Sequence, residues 1–178
     1  MRIKGKRILG YIGIFVITLM ILWLLLIGAA MISNNQIKQN MQESALSYGQ
    51  AEAFAFCDGR KLNGVADNYA DSIWLNVAWY MGKGNPIEAS LNTKYYDGEE
   101  MGENAGLYFA VNDDTIEANV VYTRYWHGTA GIIRILHMFT DVSGIKIMGL
   151  CFALFLAAVL IMLLLRENGT VTITHSRT

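Results

Sequence analysis

The chain has 178 residues, of which 53% are hydrophobic and only one is proline, with a formal net charge of −1. It is too apolar for an ordinary water-soluble domain, and it lacks the basic excess that nucleic-acid binding requires. The small net charge conceals an uneven distribution along the chain.

The first seven residues, MRIKGKR, hold four positive charges and no acid. Residues 8–32, ILGYIGIFVITLMILWLLLIGAAMI, follow without a single charge. At about 1.5 Å per residue, a helix of that length exceeds the ~30 Å hydrocarbon slab of a bilayer. Residues 147–165, IMGLCFALFLAAVLIMLLL, form a second apolar run just long enough to cross. Lys146 and Arg166 bracket it and can snorkel to the headgroups. Each central Leu, Ile, Val or Phe favours insertion by about 0.3–0.6 kcal/mol, so both runs are expected to span. Basic residues stay cytoplasmic. Residues 1–7 and the tail 166–178 are therefore expected inside, and the middle outside. That middle, Ser33 to Lys146, carries 14 of the 15 acids against eight Lys and Arg. A cleavable signal peptide is the rival for the first run, with Gly28–Ala30 as its small-x-small site. The apolar core is longer than the 7–15 residues such peptides use, which favours an uncleaved helix. Cys57 falls in the exported part and Cys151 in the second span, so no intramolecular disulfide is expected.

In the exported segment, cap-type residues Ser33, Asn34 and Asn35 precede Ile37, Met41, Ala45 and Tyr48 at helical spacing. This predicts an amphipathic helix continuing the first span. CDGRKLNG reads as a turn-rich connection. Asp67 is a good N-cap for a helix through DNYADSIWLNVAWYM, which Gly82 and Gly84 end. Asn85 and Pro86 start another. TKYYDGEEMGENAG reads as polar loop. LYFAVNDDTIEANVVYT is compatible with a hairpin turning at Asp113 and Asp114, or with a helix. From Gly128, a helix puts Ile132, Ile135, Leu136 and Phe139 on one side and His127, Arg134, His137 and Asp141 on the other. Too short to span and lying beside the second run, it is expected to rest in the membrane interface. Gly144 should separate it from the second span, and the tail should be disordered.

Two clusters carry candidate chemistry. Arg124, Tyr125, Trp126, His127, Arg134 and His137 gather fork-shaped cations, titratable rings and flat aromatic faces at headgroup height. They make either a pocket for a phosphate-linked lipid or an ordinary aromatic belt with snorkelling arginines. Asp67 and Asp71, four residues apart, share a helix face. Together they can hold a divalent cation or act as a general base, or they merely cap the helix and complement its dipole. No HExxH, paired CxxC, phosphate-cradling glycine loop or GxSxG is present, so the sequence points to no metal and names no cofactor.

The basic start, the first span, DNYADSIWLN, NPIEASL and RYWHG together resemble a family of uncharacterised bacterial polytopic membrane proteins, from about Met1 to Leu165. RYWHG is the most specific piece. Members of that family carry further membrane helices after the second. Their layout is similar to that of membrane-embedded glycosyltransferases that use lipid-linked sugars and an exoplasmic aspartate base. The resemblance implies Asp67 or Asp71 as that base, with Arg124 and His127 near the donor phosphate. Two helices cannot enclose such a donor, so the chain is expected to be an amino-terminal part of such a protein or a small relative working with a partner.

The expected architecture is a mainly α membrane protein of the bacterial plasma membrane. It comprises a cytoplasmic N-terminus (1–7), transmembrane helices at 8–32 and 147–165, and a mostly helical exoplasmic domain (33–127). An interfacial amphipathic helix (128–143) and a cytoplasmic tail (166–178) complete it. The expected function is a non-enzymatic accessory or interaction module of the cell envelope. Its partners would be the lipid bilayer and other membrane proteins, met where Gly149, Ala153, Ala157 and Ala158 allow close helix approach on the second span. The alternative is a truncated glycosyltransferase-like protein acting on a polyprenyl-phosphate-linked sugar.

Overall fold

The uncharged run at 8–32 lies almost wholly within α1 (Arg2–Ala30). Its large side chains are exposed from Ile8 to Leu25, after which Leu26, Ala29 and Ala30 are buried. The computed structural model describes residues 2–56, 65–124 and 126–175. These fall into two compact units, Met1–Asp141 and Val142–Thr178. Two helical segments, Arg7–Ala30 and Val142–Arg166, are long and apolar enough to cross a membrane.

In the first unit the chain breaks after Ala30 and restarts as α2 (Asn34–Gly49). Ser33 and Gln36 form a reciprocal capping box there, so α2 is a separate helix rather than a continuation of α1. Its predicted stripe of Ile37, Met41, Ala45 and Tyr48 is buried. The strands β1 (Phe54–Phe56) and β2 (Val65–Asp67) pair antiparallel. CDGRKLNG, with Cys57, lies outside the described residues. Asp67 accepts from the Ala70 N–H at 2.9 Å and starts α3 (Asn68–Met81), which Gly82 ends. Asn85 caps α4 (Pro86–Leu91), with Pro86 in its first turn.

The segment read as polar loop is more ordered than its composition predicts. It contains β3 (Lys94–Tyr95), a 3₁₀ turn at Glu99–Met101 and the start of α5 (Gly102–Asn112). Burial supplies the reason. Asn104, Leu107, Ala110 and Val111 lie one helical turn apart and are buried, and α5 packs on α2 and α3. A hairpin across Asp113 is thereby overturned. The short strand β4 (Val120–Val121) pairs with β3 instead. Trp79, Met81, Ile37, Met41 and Leu107 are fully buried at the centre. Asn76 ties α3 to the β3 end by exchanging two hydrogen bonds with the backbone of Tyr96, at 2.8 and 3.0 Å.

From Gly128 the chain forms α6 (Gly128–His137), starting as the periodicity predicts but ending short of the expected 143, because a break precedes the next helix at Val142. The second unit is α7 (Val142–His175). Gly144 lies inside α7 instead of ending a preceding segment, since an apolar helix tolerates glycine. The helix also runs on through the expected tail to His175.

Candidate functional site

The two faces predicted for α6 are real, but the domain takes the polar one. Arg134 and His137 have no exposed surface, while Ile132 is 59% and Phe139 75% exposed, with Ile135 and Met138 also outward. This corrects the expectation that Arg134 and His137 face a lipid phosphate. The guanidinium of Arg134 is spent inside. Its Nε donates to the Ala29 carbonyl at 3.1 Å, and its Nη1 donates to Ala78 O at 2.6 Å and Asn34 Oδ1 at 3.0 Å. Nη2 donates to the Ile32 carbonyl. Two of these four acceptors, the Ala29 and Ala78 carbonyls, lie in the last turns of α1 and α3, at the negative dipole ends, and Ala29 O also accepts from the Ile32 N–H at 3.2 Å. One arginine therefore caps two helices. Gly82 makes room, because a Cβ there would lie 2.1 Å from both Arg134 Nη2 and Asn34 Oδ1. Burial lowers the Arg134 pKa to about 10, so it stays charged at neutral pH.

His137 is equally internal. Its Nδ1–H donates to the Ile133 carbonyl at 2.8 Å, and Nε2 lies 3.1 Å from Ser44 Oγ. Asn40 Nδ2 donates to the His137 carbonyl at 2.7 Å. Burial pushes the imidazole pKa below its usual value and Arg134 adds to that, while the Ile133 hydrogen bond and Asp141 pull it up. In the neutral ring with its proton on Nδ1, Nε2 competes with the Asn40 carbonyl, 2.8 Å from Ser44 Oγ, for the one Ser44 hydroxyl proton.

Asp67 and Asp71 take structural tasks. Asp67 is the α3 N-cap, and Asp71 Oδ2 accepts from the Tyr48 hydroxyl at 2.7 Å. Burial, then that bond, push the Tyr48 phenol far up. Among the described residues, no group of three metal-ligating side chains occurs.

The remaining residues of the predicted cluster stay near the surface. Tyr125 lies outside the described residues. Trp126 is 61% exposed, and Gly128 leaves space for its ring, since a Cβ there would lie 2.0 Å from Trp126 Cη2. His127 Nε2–H donates to the Ser90 carbonyl at 2.7 Å. Ser90 Oγ in turn accepts from Trp23 Nε1–H at 2.9 Å and donates to the Ile87 carbonyl at 2.7 Å. Ser90 thus binds α1, α4 and the start of α6 into one knot. Arg124 hangs from β4 and is held nearby, because the Tyr122 N–H donates to the Thr93 carbonyl at 2.9 Å.

Three clefts adjoin around these residues. An apolar slot of about 310 Å³ runs along α1 between Leu19, Leu22, Trp23, Leu26, Leu91 and Trp126. It shares Leu91, Trp126 and His127 with a more polar cleft of about 460 Å³ that adds Asn92, Thr123 and Arg124. That cleft shares Tyr122, Thr123 and Arg124 with a third of about 220 Å³, walled by Tyr69, Trp74 and Tyr95. Trp74 and Tyr122 rings meet at 5.2 Å, and Tyr122 and Tyr95 at 6.2 Å. Arg124 is close enough to oppose the upward shifts of Tyr69, caused first by its Glu103 hydrogen bond, and of Tyr95, caused first by burial. The sequence reading missed Trp23, Ser90 and the aromatic wall, which come from separate chain segments. The one signal for Trp23 was an indole near the outer end of an apolar run.

No family model, no curated protein and no solved structure matches this chain.

Proposed function

We propose that the chain is an integral membrane protein of the bacterial envelope, serving as a non-enzymatic accessory or interaction module. Its termini are cytoplasmic, and the domain between the spans is outside. Two long apolar helices and the basic start support this reading. The exposed apolar side chains of α6, a helix that packs on α1, support an interfacial position for it. The observation that carries the non-enzymatic reading is the commitment of the strongest polar groups to the fold. Asp67 caps, Asp71 receives the Tyr48 hydroxyl, and Arg134 and His137 are sealed inside. A glycosyltransferase-like protein acting on a polyprenyl-phosphate-linked sugar needs one of those aspartates as a base, whereas Asp67, though exposed, holds the Ala70 N–H and Asp71 holds the Tyr48 hydroxyl.

The partner surface is assigned to α7, whose apolar residues from Ile147 to Leu165 are outward-facing and include Gly149 with open space at its Cβ. A photo-crosslinker at Leu156 in native membranes should give a discrete adduct that Gly149→Leu with Ala153→Leu abolishes. A smear of lipid adducts unchanged by those substitutions would remove the interaction reading. Turnover of a polyprenyl-phosphate sugar by the purified chain, lost in Asp71→Asn, would establish the enzyme instead.

A further inference from the structure

We infer that the apolar slot along α1 and the Arg124 cleft form one binding site for a membrane lipid with a phosphate-type anionic headgroup. This deepens the interaction-module reading and rests on α1 crossing the membrane. Trp23 precedes Ala30, the end of α1, by seven residues, which is about 10 Å along the axis. A slot from Leu19 to Leu26 is therefore at acyl-chain depth, and its walls are apolar apart from the Ser90–His127 end. The adjoining cleft contains no α1 residue. It offers the Arg124 guanidinium with Asn92 and Thr123, a donor set matched to phosphate oxygens, while His127, whose Nε2–H is held by the Ser90 carbonyl, forms the wall shared with the slot. Its own charge balance favours an anion, since among the described residues the linings of this cleft and the slot include Arg124 and no acid. The tail and head regions are contiguous, meeting at Leu91, Trp126 and His127, as a single amphiphile demands. The aromatic cleft on the far side of Arg124 leaves flat faces for whatever the phosphate carries.

The site is held rigidly where it matters. Trp23, Ser90 and His127 are locked by the three hydrogen bonds of the knot, and Gly128 fixes the space into which the Trp126 ring folds. The arrangement asks nothing of Arg134 or His137, which lie in the interior.

The test uses the full chain in nanodiscs of neutral phosphatidylcholine. A small, equal mole fraction of either brominated phosphatidylglycerol or brominated phosphatidylcholine is added to them. Trp23 and Trp126 flank the slot, so quenching reports the tail, and Trp126→Phe identifies that component. The anionic lipid should be enriched about fivefold over its mole fraction, the scale of one arginine against an anionic lipid. Arg124→Gln should remove the excess with the thermal midpoint unchanged, because the residue is exposed. Leu91→Trp, which fills the slot, should remove it while Arg124 is intact. Equal quenching by both headgroups would reduce the slot to ordinary bilayer contact and overturn the proposal. So would an excess that survives Leu91→Trp, which marks headgroup attraction without a tail site. Loss of the excess on adding inorganic phosphate alone would mark a soluble-anion site and overturn it too. A chain that fails to float with vesicles defeats the membrane reading itself, and is thereby told apart from a chain that floats but shows no preference.

Discussion

A guanidinium with no exposed surface and no carboxylate among its hydrogen-bond partners must find its counter-charge in dipoles. Arg134 finds it where α1 and α3 both end, with Asn34 completing the ring of acceptors. Each buried carbonyl left unpaired costs about 1–3 kcal/mol, so Arg134→Met should destabilise the domain by roughly 2–4 kcal/mol. Arg134→Lys should recover only part of this, because an ammonium cannot reach acceptors fanned over a planar fork. Thermal unfolding in mild detergent checks both, and an unchanged midpoint for Arg134→Met would refute the double cap. His137 gives a pH signature. Its folded pKa lies below the unfolded value near 6.5, so the unfolded chain binds the extra proton. Stability should therefore fall as pH drops through and below about 6.5, and be restored above it. The slope between neutral and mildly acid pH should shrink in His137→Gln. An equal slope in that variant would assign the effect elsewhere.

At the scale of the element, α6 shows why amphipathicity alone does not say which face goes inward. Its apolar and polar stripes are as the spacing predicts, yet Ala130 and Gly131 turn the polar stripe toward α1 and leave Ile132, Ile135 and Phe139 outside. In water that would be costly, and at a bilayer interface it is favourable. A spin label at Phe139→Cys should be accessible to oxygen and shielded from a water-soluble nickel chelate. One at Glu43→Cys should show the reverse. Shielding from both reagents at 139 would mean a protein partner covers the face. α5 tells a related story, since GENAG looks like loop by composition but Asn104 is buried against its neighbours and Gly106 lets the backbone of Tyr96 and Gly98 approach, a Cβ there lying 3.2 Å from Gly98 N. Asn104 accepts from Ser72 Oγ at 2.6 Å and donates to the Ala51 carbonyl at 2.9 Å. At the ends of elements, local chemistry is enough. Ser33→Ala should cost about 1 kcal/mol by loss of the capping box, readable as a drop in thermal midpoint, and no drop would mean Gln36 suffices alone.

At the scale of the whole molecule, α1 is part of the folded unit as well as a candidate span. Leu26, Ala29 and Ala30 are buried, Ala29 and Ile32 supply carbonyls to Arg134, and α4 and α6 pack on its outer end. A fragment beginning at Ser33 should therefore fail to give a stable domain, which opposes cleavage after Ala30. Sharp, native-like thermal unfolding of residues 33–141 alone would disprove that dependence. The orientation has its own check. In a Cys57→Ser background, Asn85→Cys should react with an impermeant maleimide on intact cells, and protection until lysis would invert the topology.

Patterns of short range were legible from the residues alone. Uncharged runs gave the two long helices, and Ser33, Asp67, Asn85 and Gly128 gave four helix starts, because a cap or a hydrophobic period is decided within a few neighbours. The acidic pair at Asp67 and Asp71 was visible but not its use, since Tyr48 arrives from another helix. The α5 helix, the pairing of β3 with β4, the inward turn of Arg134 and the adjoining clefts at Trp23 with Ser90 and at Arg124 were decided by tertiary structure. Each depends on which carbonyls and apolar surfaces come together from positions as much as 105 residues apart, and burial free energy, rather than local preference, selects among them.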